Sequence, residues 1–113
     1  MAISQTLYHS PGQKATIFLE VLNNDGYRAD AYTVPVVNSI FKPNHTYADG
    51  YPASMTNFET GKYYFDYTIP SGSTAVGSYL MDVFYEHPTT TQTIKLLYQI
   101  VVTAPFGIYS TTI

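Results

Sequence analysis

The chain has 113 residues, a formal net charge of −3, no cysteine and no tryptophan. That length accommodates one domain with one modest core, and the lack of cysteine excludes a disulfide scaffold and a thiolate metal site. With only five Lys and Arg, it lacks the clustered cations that drive phosphate binding, so nucleic acid is not an expected partner.

Met1 to Gly12 carries no sustained period and finishes in Ser10-Pro11-Gly12, a turn signal, so it reads as an N-terminal arm. Ile3, Leu7 and Tyr8 are unfavourable residues to leave in water, and they are expected to lie on this domain or on a neighbour. The start Met1-Ala2-Ile3-Ser4-Gln5 has neither a basic end nor an apolar run, and no apolar stretch in the chain approaches the roughly 18 residues of a membrane span. Neither a signal peptide nor a membrane partner is expected, and synthesis and folding are expected to be cytoplasmic.

From Lys14 to Leu22, Ala15, Ile17, Leu19 and Val21 alternate with Thr16, Phe18, Glu20 and Leu22, which predicts a strand whose odd positions face a core. Asn23-Asn24-Asp25-Gly26 then turns the chain. Tyr32 to Phe41 is rich in β-branched and aromatic residues, but Pro35 cannot donate to a ladder, which predicts an edge strand or a bulge. Lys42 to Ala53, with two prolines and Asp49-Gly50, reads as a long loop, whole or broken by a short strand. Ser54 to Glu59 predicts a short strand before Thr60-Gly61 reverses direction. Lys62 to Ile69 and Ser78 to Glu86 predict two strands joined over the end of a sheet by the loop that opens at Pro70. After the turn His87-Pro88-Thr89-Thr90-Thr91, Gln92 to Val102 predicts the last strand, with Ile94, Leu96, Tyr98, Ile100 and Val102 facing one way. Pro105 ends it, leaving residues 105–113 as a tail that carries Phe106, Ile108, Tyr109 and Ile113 and no charge.

Short strands separated by turn chemistry, with no helical period, predict an all-β fold, an antiparallel sandwich of about seven strands over residues 13–104 flanked by the arm and the tail. Charged residues are 12% of the chain, about half the usual ~25%. Something other than charge must keep the surface soluble, or much of it is covered. The 12 tyrosines and 6 phenylalanines suit both pleated sheets and interfaces.

No residue pattern points to chemistry. His9, His45 and His87 have no partners at metal-ligand spacing, and Asp25, Asp30 and Asp49 lack the alternating ligands and closing Glu of a calcium loop. They read as turn residues. Glu20, Glu59, Asp66, Asp82 and Glu86 are the carboxylates from which a glycosidase pair would be drawn, but each falls where a strand's outward face needs a polar residue. Ser71-Gly72-Ser73 is a flexible loop and not a nucleophile elbow. Asn44-His45-Thr46 fits a glycosylation sequon without a secretory signal to accompany it, and Arg28 and Lys42 read as solvated charges. No enzyme activity and no cofactor are expected.

Thr60-Gly61-Lys62-Tyr63-Tyr64-Phe65 with Pro70, followed by Gly77-Ser78-Tyr79-Leu80-Met81-Asp82-Val83, resembles the late strands of bacterial and viral immunoglobulin-like domains. Pro11-Gly12-Gln13-Lys14-Ala15-Thr16-Ile17 is similar to their opening turn into the first core strand. The chain has neither the cysteine pair nor the tryptophan of antibody domains, so that branch is excluded. A single domain of this kind, low in charge and apolar at both ends, resembles the small accessory structural proteins of tailed bacteriophages, capsid decoration or cement proteins above all. The resemblance implies a virion location on the capsid surface, the major capsid protein or another virion protein as partner, and a homo-oligomer or many copies on a lattice. It also implies contacts through Ile3, Leu7, Tyr8, Phe106, Ile108, Tyr109 and Ile113. A head-to-tail or tail-associated subunit is the alternative within the class. Outside it stands an adhesive module that binds host-surface carbohydrate through Tyr47 and Tyr51.

Overall fold

The computed structural model describes residues 3–104, and within them the only helical element is a 3-10 turn, Ser73–Ala75. Eight strands follow in order: β1 (Gln5–His9), β2 (Lys14–Glu20), β3 (Val36–Phe41), β4 (Ala53–Ser54), β5 (Thr56–Glu59), β6 (Lys62–Thr68), β7 (Gly77–Glu86) and β8 (Thr93–Val102). They form a five-stranded sheet, β1-β8-β7-β3-β4, and a three-stranded sheet, β2-β6-β5. The chain is thus the expected all-β sandwich. Its sheets have the immunoglobulin-like partition, with β2, β6 and β5 in the places of strands B, E and D, and β3, β7 and β8 in those of C, F and G.

Alternation builds the core. Ala15, Ile17 and Leu19 of β2 and Tyr63 and Tyr67 of β6 point inward from one sheet. Val37 and Ile40 of β3, Tyr79, Met81 and Val83 of β7, and Tyr98, Ile100 and Val102 of β8 meet them from the other. Burying each large side chain contributes about 1.5–3 kcal/mol against exposure, which makes this layer the main source of stability. Met55 is buried at the crossover where the chain leaves β4 for β5 and changes sheets.

Two glycines hold the connections together. Gly61, at φ 72°, ends the β5–β6 hairpin, and a Cβ there would stand 2.8 Å from both the Ala29 nitrogen and the Val21 carbonyl oxygen. Only glycine fits so close to two backbones. Gly77, at φ 137°, opens β7 against the Pro43 ring. Two residues on, Tyr79 is 1% exposed and its hydroxyl donates to the Ala75 carbonyl at 2.9 Å, pinning the loop between the sheets in a tyrosine corner.

Three expectations are corrected. The stretch read as an arm contains β1, which pairs parallel with β8 from Gln5↔Tyr98 to His9↔Val102, so it is part of the domain and the sandwich is not wholly antiparallel. Five half-exposed residues show little period of their own; their order comes from a strand distant in sequence. The segment around Pro35 is not an edge, because Pro35 precedes β3, and β3 lies between β7 and the two-residue β4. There the proline lacks only a donor, and its carbonyl still accepts from the Met55 N–H at 2.9 Å. Among the described residues the strands number eight, one of them the two-residue β4, against about seven expected. The tail, 105–113, lies outside the described residues.

Candidate functional site

The outward face of the three-stranded sheet carries an aromatic cluster. The same alternation that sends Ala15, Ile17 and Leu19 inward turns Lys14, Thr16, Phe18 and Glu20 outward. Phe18 lies opposite Tyr64 of β6, and Thr16 lies opposite Asp66. In the β5–β6 ladder the register shifts between Asn57 and Glu59, which leaves Phe58 as the extra, unpaired residue and tilts its ring onto this face. The Asn57 side-chain amide satisfies the bulge by donating to the Glu59 carbonyl at 2.9 Å and the Lys62 carbonyl at 3.2 Å.

The rings interlock edge to face. Phe18 and Phe58 have centroids 6.2 Å apart at 71°, and Phe58 and Tyr64 are 5.7 Å apart at 63°. Such pairs stabilise one another by about 0.5–1.5 kcal/mol, which fixes the cluster without burying it. Phe18 remains 58% exposed and Phe58 50%. Shallow depressions lie on either side of their contact. One, of about 380 Å³, is bordered by Lys14, Thr16 and Asp66; the other, of about 450 Å³, by Glu20 and Lys62. The Thr16 hydroxyl donates to Asp66, which also holds Lys14 at 3.8 Å. An apolar centre is thus edged with hydrogen-bonding and charged groups, the anatomy of a small protein-docking patch.

The residues singled out in the sequence fall elsewhere. Tyr8 is 72% exposed on β1, Ile3 is exposed just before it, and Leu7 is half-buried against the core. Tyr47 is exposed and leans on Phe41 of β3 with centroids 5.0 Å apart, so Tyr8 and Tyr47 lie toward opposite edges of the five-stranded sheet. Tyr51 is half-buried, its ring edge-on to Phe65 at 5.9 Å, and burial raises its hydroxyl pKa; it is packing and not a free loop contact. Phe106, Ile108, Tyr109 and Ile113 lie outside the described residues. Of the described ones, Ile3, Leu7, Tyr8, Tyr47 and Tyr51, the structure brings none to the Phe18 cluster. The sequence did hold a signal for it, since Phe18 is an aromatic residue on the polar side of an otherwise regular alternation.

Several titratable groups occupy structural positions. Asp30 accepts from the Gly61 N–H at 2.7 Å, Asp82 from Asn38 at 3.2 Å and Glu86 from Thr33 at 2.8 Å, while Glu59 pairs with Arg28 at 3.2 Å. His87 accepts the N–H groups of Thr89 and Thr90 in its turn. Among the described residues no group of three or more His, Asp or Glu could hold a metal ion, and no helix is long and apolar enough to cross a membrane. The largest pKa shifts belong to core tyrosines. Burial, with Tyr79 and Tyr51 nearby, pushes Tyr67 up to about 12, and burial with Tyr85 nearby pushes Tyr98 up to about 12.

Comparison with protein-family models, with curated proteins and with solved structures finds no match.

Proposed function

We propose that the protein is a non-enzymatic structural protein of a virion, a capsid decoration or cement protein that docks on the major capsid protein lattice and stabilises the head. The observation that carries a docking role is the Phe18–Phe58–Tyr64 cluster, three rings fixed by one another, of which Phe18 and Phe58 stay half in water. A rigid sandwich that presents preset rings loses little side-chain entropy on binding. Weak single contacts suffice where many copies bind one lattice. The virion assignment itself rests on the resemblance of the Gly61–Tyr63 and Gly77–Tyr79 strands and on the low charge.

The purified protein is expected to sediment with capsids of its own phage and to raise their melting temperature. Phe18→Ser with Phe58→Ser should reduce that binding at least tenfold, because the rings lie on the surface and two truncated anchors each cost about 1 kcal/mol or more; the melting temperature of the free protein should fall little. Undiminished binding by this variant would refute the aromatic face, and a wild-type protein that ignores capsids would refute the virion role. A second reading, host-surface carbohydrate, is favoured by one feature: Lys14, Thr16 and Asp66 set hydrogen-bonding groups beside the rings. Retention on a glycan array, lost in the same variant, would establish it instead.

A further inference from the structure

Among the described residues the outer edge of β2 is open. Within the three-stranded sheet β2 pairs only with β6, and the flanking bonds show which way its backbone points. Ile69 N–H donates to Gln13, Val21 N–H donates to Gly61, and Ala29 N–H donates to Val21, so the odd residues serve the ladder and its continuation. The even residues, Lys14, Thr16, Phe18 and Glu20, therefore turn their N–H and C=O groups away from the sheet. Among the described residues the sole partner of these groups is the Tyr98 hydroxyl, which donates to one lone pair of the Phe18 carbonyl at 3.0 Å and leaves the other free. An unpaired row of this kind is a template for another strand.

The strand is also complementary to itself. It runs Lys14-Ala15-Thr16-Ile17-Phe18-Leu19-Glu20, with a cation at one end and an anion at the other. We propose that two copies of this chain pair β2 against β2 in antiparallel fashion about a two-fold axis at Ile17, joining their three-stranded sheets into one of six strands. In that register Lys14 faces Glu20 of the partner subunit and Thr16 faces Phe18 of the partner subunit. All of these are even positions, so every outward N–H and C=O of one strand meets its counterpart. Shifting the register by one residue would set even positions against odd and lose both the bonds and the charge match. Glu20 makes no ion pair among the described residues, which leaves it available. A closed two-fold contact stops at two copies and does not propagate. It would bring the two Phe18 rings to the same outer face, doubling the docking surface; the dimer goes beyond that docking role and stands without it.

Sedimentation of the full chain at concentrations up to roughly 1 mM, the limit of a weak specific contact, is expected to show a monomer–dimer equilibrium. Lys14→Glu sets two carboxylates opposite each other at both symmetry-related ends and should weaken the dimer about tenfold. Lys14→Glu combined with Glu20→Lys should restore it. Both variants lose the surface pair with Asp66, so recovery separates pairing across the edge from that local loss. Amide exchange at Thr16 and Phe18 should slow as concentration rises. A protein that stays monomeric, a double variant as weak as the single one, or exchange at these amides that ignores concentration would each overturn the proposal.

Discussion

Removing one oxygen atom tests how the sandwich is closed. Tyr79→Phe keeps the ring, which leans on Tyr67 with centroids 5.9 Å apart, and deletes only the hydroxyl that donates to the Ala75 carbonyl at 2.9 Å. A hydrogen bond contributes about 1 kcal/mol net, and a buried acceptor left without its donor adds roughly 1–3 kcal/mol of desolvation. Tyr79 is 1% exposed and Ala75 is 3% exposed, so water has poor access to replace the lost donor. The loss should therefore reach about 2 kcal/mol, or a melting temperature lower by roughly 8 °C at about 4 °C per kcal/mol. Urea unfolding should show it as a lower midpoint with an unchanged slope. Tyr98→Phe is the control: its hydroxyl is buried, but the acceptor it would leave behind, the Phe18 carbonyl, belongs to an exposed residue on the unpaired edge of β2 and can be solvated there, so that loss should stay near 1 kcal/mol or below. If Tyr79→Phe cost no more than Tyr98→Phe, the corner would not be what holds the loop between the sheets.

Gly61→Ala should destabilise by more than about 2 kcal/mol, since it combines the left-handed penalty with a clash against two backbone atoms, whereas Gly26→Ala, at φ 85° with open space around it, should cost only about 1 kcal/mol. Equal losses in thermal melts of the two variants would show that the β5–β6 turn has room to move. Stability should also fall in alkali. Tyr67 and Tyr98 have folded pKa values raised to about 12 from the ordinary 10.0, so the unfolded chain gives up these protons first. Their contribution is intact below pH 10 and disappears as pH climbs from 10 to about 12, on the order of 2 kcal/mol apiece, and urea midpoints measured across that range should drop accordingly. A flat profile would mean that these hydroxyls reach water in the folded state.

What could be read in the sequence, and what could not, follows from the range over which each feature is determined. The inward faces of β2 and β8 are local: Ala15, Ile17 and Leu19, and Tyr98, Ile100 and Val102, alternate cleanly and are all buried. Gly61 is visible in the sequence as a turn signal and Gly77 as the first residue of the Gly77–Val83 stretch, though not the Ala29, Val21 and Pro43 atoms that make them irreplaceable. The parallel pairing of β1 with β8 links residues more than 90 positions apart, and nothing within Gln5–His9 announces it. Nor could Phe58 be placed beside Phe18, since that contact needs both the β2–β6 register and the bulge held by Asn57. Tyr51 looked like a free loop tyrosine because its partner, Phe65, belongs to a distant strand.

The two sheet faces differ in a way that bears on which one meets a partner. On the five-stranded sheet the outward Leu80 and Leu97 are half-buried among their neighbours, and polar pairs such as Asn38–Asp82 and Gln99–Ser78 run through the same surface. A partner there would displace bonds already made. On the three-stranded sheet the polar pairs lie at the borders, and the centre is ring surface that water solvates poorly. Covering Phe18 and Phe58 removes apolar area from water without breaking a bond in the free protein, and the bulge and the edge-to-face contacts have already set the rings in place. In a chain with so few charges, such a surface gains from being covered.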